Sequence, residues 1–355
     1  MASSSPNPTN PTNPPDPPTA PPPLKDLTIE NITTNTNLIN AQCPSPRLRY
    51  LLSRLVTHLH DFARETRLST AEWSAALAFL IEAGQISSPQ RNELILLSDI
   101  LGLSLLVDAI DHPKPPGATE GTVLGPFHTH DAPTVADGGL LSRDAAGEPL
   151  LVVCCVRDLA GRALEGVRVD IWETDSSGHY DVQYASGKGQ GQGKGEAGGR
   201  SVDGRGVMYS DARGRFWFQA IKPVSYPIPH DGPVGRFLGK MRRHPYRPAH
   251  MHFMLWKEGW DCLITALYVR GDPYESSDAV FGVKSSLIVD LQPLTDPEMA
   301  KKYDVPLGTL VLQHEFVLVS EEEAKELRER NSREAMEKLG MRVRLLDGLP
   351  VPDVD

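Results

Sequence analysis

The chain has 355 residues, 40% of them hydrophobic and 23% charged, a composition that is ordinary for a globular enzyme. Its formal charge of −10 argues against nucleic acid or an anionic membrane as the main partner. No apolar run approaches the roughly 20 residues of a membrane span, and no signal-peptide pattern is present, so we expect a cytoplasmic protein. The four cysteines fit no zinc or redox spacing, which favours buried thiols in a reducing compartment.

The first third of the chain is predicted to be a tail followed by helices. Residues 1–24 are expected to form a disordered proline-rich tail, because ten of the 31 prolines lie within this segment. Residues 25–116 are expected to be helical, with one helix opened by a capping signal at Ser69 and ended by Gly84, and another opened by Pro89. Apolar residues cover more than one side of these helices, which predicts a partner surface as well as a core.

From about residue 117 the sequence changes to short apolar runs separated by turns rich in glycine and aspartate. This pattern predicts a β-sandwich over residues 117–319, with a flexible glycine-rich loop at 186–199. Residues 320–355 are expected to form a charged helix and a tail. The predicted fold class is therefore mainly β, with a β-sandwich domain and an N-terminal α-helical segment.

A His-x-His pair lies in one of the predicted strands. His250 and His252 follow Pro248 in an apolar run, and alternate residues of a strand point to the same face. Two imidazoles on one face form a chelate for a transition metal, although two satisfied histidines are the alternative interpretation. A second pair, His128 and His130, lies in a Gly/Pro loop without a regular face and is not expected to bind metal.

Two further segments place tyrosines beside turns. DIWETDSSGHY runs from a strand to Tyr180, and YPIPHDGPVG opens a proline-fixed loop at Tyr226. The order Tyr180, Tyr226, His250, His252 resembles the intradiol ring-cleavage dioxygenases, which are non-haem iron(III) enzymes with a β-sandwich and an N-terminal helical dimerisation segment. The resemblance covers residues 40–318, and the segments GTVLGPFHTHDAP, RPAHMHF and RGDPYESSDAVFGV resemble the hydroxyquinol 1,2-dioxygenase branch in particular.

The resemblance implies one iron(III) ion per chain, with Tyr180 and His252 as equatorial ligands and Tyr226 and His250 as axial ligands. The residue types suit that ion, because a trivalent cation deprotonates a phenol and hard anionic oxygens favour iron(III) over zinc. Tyr226 is further expected to take a proton from the substrate. Arg247 is expected to face the substrate ring and stabilise negative charge, with a structural ion pair as the alternative.

The resemblance also implies a ring pocket. One wall would consist of Leu124, Gly125, Pro126 and Phe127, and the opposite wall of Ala279 and Val280. Ala266 stands where many catechol-cleaving relatives carry a glutamine, so one polar contact to the substrate is lost and room is left for a substituted ring.

Together these features predict an intradiol dioxygenase that acts with O2 on a small aromatic diol or triol. The expected substrate is hydroxyquinol, which would give maleylacetate, and the alternative within the same chemistry is catechol, which would give cis,cis-muconate. A metal-free β-sandwich binding module is an alternative of another class, and a zinc hydrolase would require carboxylate or cysteine ligands. The resemblance further implies a homodimer formed through the helices, with a lipid held at the interface.

Overall fold

The computed structural model describes residues 25–88, 91–185, 202–346 and 348–352. The tail predicted at residues 1–24 and the glycine-rich loop predicted at 186–199 lie outside the described residues.

The secondary-structure elements follow in chain order. The helices are α1 (Ile32–Asn40), α2 (Pro46–Thr66), α3 (Thr70–Ile86), α4 (Glu93–Ile100), α5 (Leu103–Asp111), α6 (Asp181–Ala185), α7 (Pro233–Lys240), α8 (Pro297–Tyr303) and α9 (Glu321–Lys338), with a 3₁₀ turn at Ser285–Leu287. The strands are β1 (Pro149–Asp158), β2 (Arg168–Trp172), β3 (Arg205–Tyr209), β4 (Arg215–Ile221), β5 (Tyr226–Pro227), β6 (Tyr246–Arg247), β7 (His250–Trp256), β8 (Leu263–Val269), β9 (Ile288–Val289), β10 (Gln292–Pro293), β11 (Leu310–Leu318), β12 (Val343–Leu346) and β13 (Leu349–Pro352).

The chain divides into two compact units, the first of which comprises residues 1–73 and 336–355. Its long helix α2 begins where the Ser45 side chain accepts the Leu48 N–H at 3.3 Å. The hairpin β12–β13 packs on α2, where a C-terminal tail was predicted. One side of α2 carries a stripe of exposed apolar side chains: Leu48, Leu51, Leu55, Leu59 and Phe62.

The second unit comprises residues 74–335, so the boundary falls inside α3. The capping signal predicted at the start of α3 is confirmed, because a Glu72 carboxylate oxygen accepts the Ser69 N–H at 2.9 Å. Helix α3 continues to Ile86, which places Gly84 inside the helix rather than at its end. The third predicted helix is two helices, since Gly102 between α4 and α5 has a φ of +74°. Both helices belong to this unit.

The predicted β-sandwich is confirmed in the second unit. One sheet has the strand order β10-β11-β1-β4 and the other has the order β3-β2-β7-β8-β9. Apolar side chains from both sheets form one buried cluster, with Val152 and Phe216 from the first sheet and Ile171, Met251 and Phe253 from the second. Since the interior is filled by these side chains, functional groups have to lie on outer faces or at the ends of the strands.

Strand β7 determines which face carries the predicted metal ligands. It pairs antiparallel with β2 on one side and with β8 on the other, which fixes its register. Met251 and Phe253 point into the core, so His250 and His252 point to the outer face of the same sheet. Among the described residues, no helix combines the length and apolar character needed to cross a membrane.

Candidate metal centre and ring pocket

The four predicted ligand side chains lie together on the outer face of the five-stranded sheet. The ring centroids of Tyr180 and Tyr226 are 5.4 Å apart, those of Tyr226 and His250 are 5.6 Å apart, and those of His250 and His252 are 4.6 Å apart. Each of the four side chains is at most 2% exposed. Residues from three distant segments therefore converge on one dry site.

Local structure holds each tyrosine in place. Tyr180 ends the turn before α6, where its N–H donates to the Gln183 side chain at 2.7 Å and its ring stacks on Phe127 at 4.6 Å. Tyr226 lies in β5 and pairs with Arg247 in β6. The short β5–β6 ladder thus places the second tyrosine beside the predicted catalytic arginine.

The two histidines are held neutral with their Nε2 atoms facing each other at 3.1 Å. Burial, helped by the nearby Arg247 charge, lowers the pKa of His250 to about 3 and holds the pKa of His252 well below its ordinary value. His250 Nδ1 donates to the Pro248 carbonyl oxygen at 2.7 Å, which leaves a lone pair on its Nε2. The His252 ring is fixed by parallel stacking on Trp172 at 4.7 Å.

These residues fit a metal ion that takes nitrogen and oxygen ligands. The Tyr180 Oη is buried and makes no hydrogen bond in the described structure, and such an orphaned group costs about 1–3 kcal/mol. Burial, together with Tyr226, raises the pKa of Tyr180 well above its ordinary value, so only a nearby cation would make this group a phenolate. Two nitrogen ligands about 2.1 Å from an ion and at right angles lie about 3.0 Å apart, close to the separation of the two Nε2 atoms.

Arg247 is buried beside this set and forms an ion pair, as the alternative interpretation of the sequence proposed. Its Nε and Nη2 donate to the two Asp278 carboxylate oxygens at 3.1 and 3.2 Å, and Nη2 also donates to the Tyr268 Oη at 3.0 Å. Burial alone would lower the pKa of Arg247, but the Asp278 carboxylate raises it well above its ordinary value. Nη1 is left 3.1 Å from the Nε2 of His250, so the charge of the guanidinium is directed to the site.

A narrow cleft opens beside Tyr226 and Arg247. Its enclosed space is about 10 Å³, room for about one water molecule, so a substrate ring would have to occupy the open mouth of the cleft or displace its walls. Its other lining residues are Leu96, Asp99, Val123, Gly125, Pro126, Phe127, Ile228, Pro229 and Val280.

Four of the predicted wall residues line the cleft, namely Gly125, Pro126, Phe127 and Val280. The other two, Leu124 and Ala279, do not line it, and neither does Ala266, the remaining predicted pocket residue. Ala279 is buried in the cluster behind Val280, Leu124 is partly exposed, and Ala266 is buried on β8 directly opposite His252. The register therefore places Ala266 next to a predicted ligand, where a larger polar side chain would lie close to that histidine.

Asp99 is the charged lining residue that the sequence interpretation missed, along with the apolar Leu96, Val123, Ile228 and Pro229. It lies on α4, is 5% exposed, and has its pKa raised by burial against the opposing effects of Ser104 and Arg247. The available signal was a carboxylate three residues after Leu96, inside a mostly apolar helical run, which is unusual for a residue that serves only the fold.

Two other polar residues near the site were not predicted from the sequence to be functional groups. Tyr268 lies opposite His250 across β7–β8, and its Oη accepts a hydrogen bond from Arg247. Burial raises the pKa of Tyr268 to about 12, so it stays a neutral hydrogen-bonding group. His128 lies 3.6 Å from a carboxylate oxygen of Asp170 rather than in the tyrosine–histidine set.

Two family models and several known proteins match most of the chain. A family model described as the catechol dioxygenase N terminus matches residues 45–119, and a model described as dioxygenase matches residues 123–318. The chain is 62% identical over 334 residues to the intradiol ring-cleavage dioxygenase hqdA of Aspergillus niger, covering 94% of this chain and 98% of that protein. It is 45% identical to the 6-chlorohydroxyquinol 1,2-dioxygenase of Cupriavidus pinatubonensis, covering 78% of this chain and 92% of that protein. The solved structure of hydroxyquinol 1,2-dioxygenase from Pseudomonas putida DLL-E4 matches with a TM-score of 0.74 at 39% identity, covering 82% of this chain and 99% of that one.

Proposed function

This chain belongs to the intradiol ring-cleavage dioxygenases, and on that premise we propose that it cleaves hydroxyquinol (1,2,4-trihydroxybenzene) with O2 to give maleylacetate. The observation that carries the choice of substrate is the Asp99 carboxyl group, which lines the same cleft as Tyr226 and Arg247. A catechol ring that binds through its two adjacent hydroxyls has no other polar group. A carboxyl group elsewhere in the cleft therefore has a hydrogen-bonding partner only if the ring carries a third hydroxyl. Relatives whose names specify hydroxyquinol or 6-chlorohydroxyquinol support the same choice.

We propose that the cofactor is one iron(III) ion per chain, held by Tyr180, Tyr226, His250 and His252. The orphaned Tyr180 Oη and the two facing imidazole nitrogens support this assignment. Phenolate oxygens are hard and anionic, so the donor set favours iron(III) over zinc. When bound there, iron(III) supplies the Lewis acidity and the redox chemistry with which a diol ring reacts with O2.

The residues around the cleft have separate tasks in this proposal. The Tyr226 Oη accepts a proton from one hydroxyl of the diol as the substrate binds. Arg247, whose other nitrogens are occupied by Asp278 and Tyr268, uses Nη1 to stabilise negative charge that develops on the ring. Phe127 and the other apolar lining residues exclude water from the ring face.

Asp99 accepts a hydrogen bond from the third hydroxyl. A hydrogen bond to a charged group contributes about 1.5–3 kcal/mol, and a site built to bind a hydroxyl discriminates against the ring that lacks it. We therefore expect kcat/KM for hydroxyquinol to exceed that for catechol by at least about tenfold, which corresponds to about 1.4 kcal/mol in transition-state binding.

The substrate assignment is tested by measuring kcat/KM for both rings with the wild-type protein and with Asp99→Asn. The variant should lose about tenfold or more on hydroxyquinol and change less than about threefold on catechol. Asp111→Asn, at an exposed position on α5, is the matched control and should leave both values unchanged. Equal efficiency of the wild-type protein on catechol would overturn the substrate, and a yellow semialdehyde product would overturn intradiol cleavage itself.

The metal assignment is tested by metal analysis and visible absorption. We expect about one iron per chain and a broad visible band from phenolate-to-iron charge transfer, which changes when a catechol is added without O2. Tyr180→Phe should bleach or shift this band, and His252→Ala should abolish iron retention, because too few donors remain. A colourless protein with stoichiometric zinc would contradict the assignment.

We also propose that the chain forms a homodimer through its helices, with a lipid at the interface, in the cytoplasm. Exposed apolar side chains support the interface: α2 carries the stripe described above, and in the second unit α4, α5 and the turn between them expose Leu94, Ile95, Leu101, Leu103, Leu106, Val107 and Ile110. An obligate interface of roughly 2,000 Å² or more is expected, and monomers at micromolar concentration in sedimentation would refute it. Organic extraction followed by mass spectrometry tests for the lipid. The reduced, buried thiol of Cys154 suits a reducing compartment.

A further inference from the structure

Arg243, which lies outside the cleft, joins two of its walls. Its Nη1 donates to the Ile100 carbonyl oxygen at 2.6 Å, and its Nη2 donates to the Ala279 carbonyl oxygen at 2.9 Å. Ile100 is the last residue of α4 and follows Asp99, while Ala279 precedes Val280. One guanidinium therefore connects the backbone beside the proposed hydroxyl partner with the backbone of the opposite wall.

Phe281 holds the Arg243 guanidinium in this position. The aromatic ring lies under the guanidinium carbon, with 4.9 Å between that carbon and the ring centroid. Phe281 has a φ of +62°, a left-handed conformation that a bulky residue keeps only when its surroundings enforce it. Its N–H donates to the Asp278 carbonyl oxygen at 3.1 Å. The strained turn at Phe281 is therefore hydrogen-bonded to Asp278, the partner of Arg247 in the buried ion pair.

Helix α4 is tied to α7 at its other end as well. The Glu93 side chain, fully buried at the start of α4, accepts the Val234 N–H in α7 at 3.0 Å. Arg243 follows α7 and donates its own N–H to the Leu238 carbonyl oxygen at 3.0 Å. Both ends of α4 are thus hydrogen-bonded to the segment formed by α7 and Arg243. Arg243 also connects this segment to Ala279, in the opposite wall of the cleft.

We propose that Arg243 is a positioning residue that sets the separation between Asp99 and Val280, and through it the preference for a ring with a third hydroxyl. The inference rests on the proposed function. A hydrogen bond to Asp99 is sensitive to small displacements of α4, whereas apolar contacts with an unsubstituted catechol ring tolerate them. Loss of the two hydrogen bonds that Arg243 donates should therefore weaken the binding of hydroxyquinol selectively.

Two substitutions and one control test this role. Arg243→Met keeps the length of the side chain and removes both donated hydrogen bonds, and Arg243→Lys keeps the charge without the fork that reaches two carbonyls. We expect KM for hydroxyquinol to rise by about tenfold in Arg243→Met and less in Arg243→Lys, while kcat and the KM for catechol change less than about threefold. Arg236→Met, at the exposed Arg236–Glu82 pair of the same segment, should match the wild-type protein.

A double variant separates positioning of Asp99 from a general loss of structure. In an Asp99→Asn background, Arg243→Met should have little further effect on hydroxyquinol, because the group that it positions is already gone. Additive losses in the double variant, or equal losses on hydroxyquinol and catechol, would overturn the inference. The wild-type preference for hydroxyquinol reports on the proposed function separately, because it involves no substitution.

Discussion

Removal of the Asp278 carboxylate should destabilise the second unit far more than removal of an exposed acidic side chain. Both members of the Arg247–Asp278 pair are only 2% exposed. Breaking a buried pair from one side leaves an uncompensated charge and costs about 3–5 kcal/mol. Asp278 also accepts the N–H groups of Val280 at 3.2 Å and of Gly282 at 2.9 Å, and orphaning these adds to the loss. We expect Asp278→Ala to lower the free energy of unfolding by at least about 3 kcal/mol.

Urea unfolding of the full chain, followed by tryptophan fluorescence, measures this loss. The matched control is Asp290→Ala, which removes the acidic member of the Arg270–Asp290 pair, where N and O are 2.7 Å apart but the side chains are 54% and 55% exposed. The control should cost less than about 1 kcal/mol, because water and salt screen exposed pairs. A double variant, Arg247→Met with Asp278→Leu, should recover most of the stability lost in Asp278→Ala, since no buried charge remains.

Equal losses in Asp278→Ala and Asp290→Ala would refute this reasoning. They would mean that water replaces the carboxylate and that the guanidinium is not desolvated. Failure of the double variant to recover stability would point to packing at Asp278, rather than charge, as the source of the loss.

Three further predictions concern other positions. In Gly282→Ala the new Cβ would lie 2.6 Å from the Tyr268 Oη, so the contacts between Tyr268 and Arg247 should shift. We expect kcat to fall by about tenfold or more. The control Gly239→Ala, which has open space around the new Cβ, should leave kcat unchanged. Burial lowers the pKa of His314 to about 4, so the unfolded chain binds an extra proton between pH 6.5 and 4. The free energy of unfolding should therefore decrease as the pH is lowered through that window, and His314→Gln should flatten this dependence in thermal unfolding scans. Trp172→Leu removes the ring that stacks on His252 and should weaken iron retention about tenfold in a chelator competition, whereas unchanged retention would contradict a positioning role.

The sequence predicted the parts of the site that depend on local periodicity. Alternation along β7 predicted that His250 and His252 share a face, and a resemblance in motif order added Tyr180 and Tyr226. The strands of the sandwich and the cap at Ser69 were equally readable, because each depends on neighbouring residues.

Features that depend on packing between distant segments were not predicted. Asp99 lines the cleft only because α4 packs on α7, and no spacing within the sequence encodes that contact. The role of Tyr268 depends on its register opposite His250, which a single strand does not reveal. Gly102 divides a continuous apolar run into two helices, since helical periodicity alone does not show where the backbone turns left-handed.

Helix α4 has two faces with different surroundings. Its inner face carries Leu96 and Asp99 into the cleft, and its outer face exposes Leu94 and Ile95, each at 45%. A second subunit that covers the outer face of α4 would restrain the same helix that would contact the substrate through Asp99. Association and selectivity would then be thermodynamically linked, so that dilution to free subunits erodes the discrimination between triol and diol, and a bound triol in turn tightens the assembly.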